Sequence, residues 1–262
     1  MEQTSVQSSS AYPKKVLIVD DNVINQKVAA KMLQRLHIEP DILSDGQQAV
    51  DAVKAHPYDL ILMDVQMPVM DGLEATRTIR VLEAGQHHTI IVAVTANAIQ
   101  GDRERCLESG MDDYLPKPIK QQDIEQMIAK WFNPSGHPAA TKPAADVPAA
   151  VIDPVRIEQI MEIGDESLLT ELFTLYLDDL RQYPLDILAA HREGNFSSIY
   201  ENSHKLKGSS ANIGVESIRG ACIVMEQCAK ERNSVKVLEQ LAVMQDLIGR
   251  ISHYIRATYA VQ

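Results

Sequence analysis

"KVLIVDDNVINQKVAAKMLQRL", residues 15–36, decides the fold class. It opens on an apolar run that stops at two acids, Asp20 and Asp21. A run without polar alternation reads as a strand buried on both faces. From Asn22 onward the apolar residues recur at helical spacing, so a strand passes directly into a helix. The pattern then repeats. "PDILSDG", "YDLILMD", "TIIVAVTA" and "DYLPKP" are the further strands. "QQAVDAVKAH", "GLEATRTIRVLEAG", "AIQGDRERCLESG" and "QQDIEQMIAKWF" are the helices between and after them, two of them closed by glycine. Five strand–helix units within about 120 residues predict a parallel sheet covered on both faces.

Composition changes at "NPSGHPAATKPAADVPAAV", residues 133–151, which is rich in proline and alanine and nearly free of large side chains. That reads as a semi-stiff linker. Only helical patterns follow: "DPVRIEQIMEI", "DESLLTELFTLYLDDLRQYPLDILAAHREG", "NFSSIYENSHKLKGSSA", "VESIRGACIVMEQCAKER" and "SVKVLEQLAVMQDLIGRISHYIRATYA". They predict an antiparallel bundle, with Pro184 expected to kink or interrupt its second helix. The division expected is a disordered leader over 1–13, an α/β domain over 14–132, a linker over 133–152 and an all-α domain over 153–262.

The chain has 262 residues and a formal charge of -11. Residues 1–132 carry 13 basic and 19 acidic side chains, and residues 151–262 carry 11 and 16. Neither half is built to hold nucleic acid through its phosphates. Cys106, Cys222 and Cys228 form neither a metal pattern nor a disulfide framework, which fits a reducing compartment. No stretch is long and apolar enough to span a bilayer, and the first residues lack the regions of a signal peptide. A cytoplasmic location follows as the expectation.

In an open parallel sheet, ligands sit beyond the carboxyl ends of the strands. Here those ends carry Asp20 and Asp21, Asp64, Thr95 and, after the fifth strand, Lys117. Three carboxylates at neighbouring strand ends repel one another unless a cation sits among them, and hard oxygen ligands suit Mg2+. A lysine and a hydroxyl opposite would hold a phosphoryl group. Asp64, flanked by apolar "LILM", is then the carboxylate that can attack phosphorus and form an acyl phosphate. A strand end followed by a turn also favours Asp or Thr, so each residue alone says little; the four ends together say more. A dinucleotide-binding domain fits less well, because no glycine-rich loop follows the first strand.

These segments, "VLIVDDN", "LILMDVQMPVMDG", "VTA" and "DDYLPKP", resemble the receiver domain of two-component response regulators, in order and in spacing. The resemblance covers Lys15 to about Phe132 and is nearest to receivers attached to hybrid sensor kinases. It implies a flavodoxin-like, doubly wound five-stranded parallel sheet. It implies Asp64 as phosphoacceptor, with Asp20, Asp21, Asp64 and the Gln66 carbonyl around Mg2+. It further implies Thr95 as the switch hydroxyl, Tyr114 as the aromatic that follows it inward, Lys117 as the phosphate-binding lysine and a cis Lys117–Pro118 bond. Gln66 and Asn97 are expected to tune the lifetime of the acyl phosphate. No DNA-binding output region follows.

"HKLKGSSANIG" begins at His204 within a predicted helix that places Gly208 in its own interior. A glycine there costs roughly 1 kcal/mol against alanine. Phe196, Ile199, Ser203, Leu206 and Ser210 form the core stripe of that helix, and His204 lies well off it. The expectation is an exposed histidine whose neutral nitrogen accepts a phosphoryl group. Gly208 would clear room for a partner one turn along, and Lys207, beside Lys205, would attract the phosphoryl oxygens. The motif resembles His-x-Leu-Lys-Gly of the histidine phosphotransfer domain, a four-helix bundle, with Ser203 where alanine is frequent. That resemblance implies a phosphorelay protein whose partners are a sensor histidine kinase and the receiver of a downstream regulator. An interaction or scaffold protein, whose bundle docks or dimerises without phosphotransfer, is the alternative; it makes His204 dispensable. A small-molecule phosphatase would need an acid/base carboxylate two places after Asp64, where Gln66 stands. No ATP-binding region is present, so phosphorylation of this chain from ATP by itself is not expected. Met1 and the Ser/Gln leader suit a separate protein, while the C-terminal part of a hybrid kinase fits the same sequence.

Overall fold

A computed structural model describes residues 15–83, 87–95, 100–132, 151–259 and 261. The expected leader and most of the expected linker lie outside them, as does Asn97. By element type the described residues fall into two units, a sheet with its helices and a set of helices that follows it in the sequence.

The first is a five-stranded parallel sheet of order β2-β1-β3-β4-β5 with its helices. Its elements are β1 (Val16–Val19), α1 (Val23–Gln34), β2 (Pro40–Leu43), α2 (Gly46–Ala55), β3 (Leu60–Asp64), α3 (Gly72–Glu83), β4 (Ile90–Thr95), α4 (Gln100–Glu108), β5 (Asp113–Pro116) and α5 (Gln121–Phe132). β1, β3 and β4 are the apolar runs, and all but the first residue of β4 are buried, as strands covered on both faces must be. In register Val19 stands beside Met63, and Asp64 beside Val94. The carboxyl ends of β1, β3 and β4 are therefore level. Because β1 has β2 on one side and β3 on the other, the connections reverse direction between β1 and β3. A crevice for ligands opens at such a reversal.

Two local features hold that edge. Asn22 caps α1: its Oδ1 accepts from the backbone N–H of Ile24 at 2.9 Å and of Asn25 at 3.1 Å. The loop after β3 returns so closely that a Cβ on Gly72 would lie 2.1 Å from the Asp64 carbonyl oxygen. Only glycine permits this approach, and it pins the chain immediately behind Asp64. At the opposite edge Arg80 of α3 donates to the carbonyls of Gly110 and Thr89 and to Glu83 and Asp112, at 2.7–2.9 Å. One side chain thus ties α3 to the starts of β4 and β5.

The second unit is all helical: α6 (Pro154–Ile163), α7 (Glu166–Arg192), α8 (Phe196–Ile213), α9 (Glu216–Lys230) and α10 (Ser234–Tyr259). Asp153, Asp165 and Asn195 cap α6, α7 and α8, each accepting a backbone N–H of the first turn. Gly214 ends α8 in the left-handed region at φ 85°, a conformation glycine adopts without penalty. α7 runs unbroken through Pro184, so the expected interruption does not occur. The core gathers Phe173, Tyr176, Leu172, Leu206, Ile213, Ile218, Cys222, Met225, Met244 and Ile255. α7 to α10 make the four-helix bundle, and α6 packs on α7 and α8.

Candidate functional sites

The sheet unit brings together the acids singled out in the sequence. One carboxylate oxygen each from Asp20, Asp21 and Asp64 lies within 4.8 Å of the others. Asp20 and Asp64 are buried and Asp21 half-buried. Lys117 reaches back from the far side of β5 and donates its Nζ to Asp20 Oδ2 at 2.7 Å. Asn25, on the first turn of α1, donates its amide to both Asp20 oxygens at 2.9 and 3.0 Å. The Asn22 N–H adds a bond to Oδ1 at 2.9 Å. These donors aim Asp20, while Asp64 accepts the Gln66 N–H at 3.2 Å. Thr95 is buried at the end of β4. Tyr114 is half-buried against the core, with the Arg103 guanidinium 5.6 Å from its ring centre. The Lys117–Pro118 bond is cis. Three carboxylates crowded together are hard-oxygen chemistry: they fit a small divalent cation, whose shell the three acids would share.

The bundle places beside His204 an acid that the sequence expectation did not include. The stripe of Ile199, Ser203, Leu206 and Ser210 is buried as expected. His204 lies off it, and Glu226 of α9 reaches across to accept from its Nδ1 at 2.9 Å. Lys207 is buried rather than exposed, and its Nζ donates to both Glu226 oxygens at 2.5 and 2.7 Å. Lys207 is thus bonded to Glu226, since a buried ammonium needs a compensating carboxylate.

The electrostatics follow from this triad. Burial pushes the His204 pKa below its usual value, while the bond to Glu226 pulls it back up. The imidazole is accordingly neutral near neutral pH. With Nδ1–H donating to the carboxylate, the second nitrogen, Nε2, carries the lone pair. Burial alone would raise the Glu226 pKa, but the bonds from His204 and Lys207 outweigh it and hold the carboxyl below its ordinary value. Glu226 was missed in the sequence. Its signal is a lone acid among Ile218, Ala221, Cys222, Met225 and Ala229, the buried face of α9.

Residues 16–129 match the family described as "Response regulator receiver domain", and residues 171–254 the family described as "Hpt domain". The chain is a receiver domain fused to an Hpt domain. It is 32% identical over 252 residues to "Sensor histidine kinase GacS" of Pseudomonas protegens, covering 93% of this chain and 27% of that protein. It is 30% identical over 238 residues to "Signal transduction histidine-protein kinase BarA" of Escherichia coli, covering 86% of this chain and 25% of that protein. The chain thus spans about a quarter of the length of these curated relatives. Among solved structures, the receiver domain of sensor histidine kinase PA1611 from Pseudomonas aeruginosa is 45% identical, covering 45% of this chain and 97% of that one, with a TM-score of 0.43.

Proposed function

We propose that the chain is a phosphorelay module with two acceptors, Asp64 and His204. The supporting observation is their pairing on one chain: a carboxylate among cation-binding acids with a lysine beside them, and a histidine whose Nδ1 is held so that Nε2 is the nucleophile. Asp64 attacks the phosphorus of a donor phosphohistidine; a P–O bond forms, the P–N bond breaks, and its electron pair returns to the donor nitrogen. Bound Mg2+, held by Asp20, Asp21, Asp64 and the Gln66 carbonyl, would offset the charge on the phosphoryl oxygens. Lys117 neutralises a further oxygen, and Thr95 donates its hydroxyl to another. Thr95 and Tyr114 then shift the population toward the signalling surface, with Gln66 and Asn97 setting the lifetime of the product. His204 exchanges phosphoryl groups with receiver aspartates by the reverse chemistry.

The partners that fit are a sensor histidine kinase, as the relatives are named, and a receiver domain downstream. A yeast histidine phosphotransfer protein has been crystallised with the receiver domain of its downstream response regulator. Among the described residues no helix is long and apolar enough to cross a membrane. We place the chain in the cytoplasm, which its three free, buried cysteines support. Incubation with acetyl phosphate and magnesium, followed by mapping of the modified residue, tests the receiver half. A main acyl phosphate that persists in Asp64→Asn overturns the assignment.

A further inference from the structure

Glu226 fixes one end of the imidazole, but a single hydrogen bond leaves the ring free to swing about the line from Nδ1 to Oε1. A second restraint stands one turn earlier on α8. The Tyr200 ring lies against His204 with centroids 6.1 Å apart and planes 24° from parallel. Lys230, in the last turn of α9, sets its Nζ over the Tyr200 ring at 5.1 Å from the centre. Both separations fall inside the ranges for attractive aromatic pairs and for a cation over a ring. A flat face nearly parallel to the imidazole removes the swing that the hydrogen bond permits. The cation in turn holds the flat face, and it comes from the same helix as Glu226.

We infer that Tyr200, held by Lys230, is a positioning residue for phosphoryl transfer: with Glu226 it fixes the direction in which His204 Nε2 presents its lone pair. The inference rests on the reading of His204 as a phosphoryl acceptor. In the transfer step Nε2 donates its electron pair to phosphorus while the bond from phosphorus to the donor's leaving atom breaks and that pair departs with the donor. The displacement is in line, so the direction of the lone pair enters the rate directly. Tyr200 touches neither phosphorus nor donor. It acts through the histidine, and its effect belongs in the maximal rate rather than in donor binding.

Phosphoramidate is the probe, because a small donor requires no protein docking; its P–N bond breaks and the electron pair leaves on ammonia. The full chain carries Asp64→Asn, so that only histidine is scored. In that background Tyr200→Leu is expected to lower the maximal loading rate about tenfold, with KM within about twofold of the parent. Tyr200→Phe keeps the ring and should load within about twofold of the parent rate. Lys230→Met, at an exposed position that contributes little packing, should slow loading about threefold. The inference is overturned if Tyr200→Leu loads at the parent rate, or if Tyr200→Phe is as slow as Tyr200→Leu. Should Tyr200→Leu fail to fold, an unchanged rate in Lys230→Met overturns it equally. His204→Gln in the same background separates the two claims: loading that persists there at the parent rate refutes His204 as acceptor.

Discussion

Replacing Glu226 by Gln strikes the bundle site where charge, packing and nucleophile meet. The amide matches the carboxylate in shape and keeps one oxygen acceptor, but the negative charge is gone. Lys207, with 6% side-chain exposure, then loses the carboxylate to which it gives bonds at 2.5 and 2.7 Å. Removing one partner of a buried pair costs about 3–5 kcal/mol. The surviving oxygen still accepts from a charged donor, which recovers about 1.5–3 kcal/mol, leaving a net loss of about 2 kcal/mol. Hydrogen exchange of the α8 and α9 amides reads that loss locally, as a fall in protection of roughly thirtyfold. Adding Lys207→Met should restore most of it, since the stranded charge is then gone. The chemistry moves in parallel. Glu226 raises the His204 pKa against the downward push of burial, so in Glu226→Gln that pKa falls further. The acid limb of the phosphoramidate loading rate should shift to lower pH, and the plateau above it should drop because a less basic nitrogen is a weaker nucleophile. Unchanged protection in α8 and α9, together with an unmoved acid limb, would refute the reasoning.

Four further outcomes are expected. Asp20→Asn should weaken Mg2+ binding roughly ten- to a hundredfold by calorimetric titration; parent-like affinity would mean that the acid cluster does not hold the metal. Arg80→Ala removes a guanidinium bonded to two carboxylates and two carbonyls and should destabilise the receiver by about 3 kcal/mol. The chain's one tryptophan, Trp131, lies on α5 and bonds Asp113 at the start of β5, so its fluorescence follows that unfolding. The lowered His204 pKa means that the unfolded chain binds a proton first as pH falls; bundle stability should therefore decline below the ordinary histidine value of about 6.5. That decline should shrink in His204→Gln, as melting at a series of pH values would show.

The sheet was legible because each signal was local. Apolar runs that end on acids give strand, direction and site together, and Asp20, Asp64 and Lys117 meet where the alternation of strands and helices requires. Burial inside the bundle was less legible. Helical phase separates His204 from the core stripe correctly, yet phase cannot say that α9 brings an acid across to it. Glu226 lies 22 residues beyond His204, and no period along α8 contains it. The bonds from Lys207 to Glu226 were hidden for the same reason, since they too cross from α8 to α9. Pro184 was expected to kink or interrupt α7, and no interruption occurs, because packing along both halves outweighs a local penalty of about 3 kcal/mol.

The two acceptors differ in how much chain must be in place before they exist. Asp20 and its Lys117 partner are separated by 97 residues, so the aspartate site forms only after nearly the whole sheet has closed, and long loops make such closure slow. His204 with Tyr200, Lys207, Glu226 and Lys230 is complete within two consecutive helices. A nick within the sheet can therefore abolish the aspartate chemistry while leaving every residue of the histidine site on one unbroken stretch of chain. Proofreading of the fold thus falls on the receiver, because a phosphorylated Asp64 is itself a report that strands far apart in sequence have found one another.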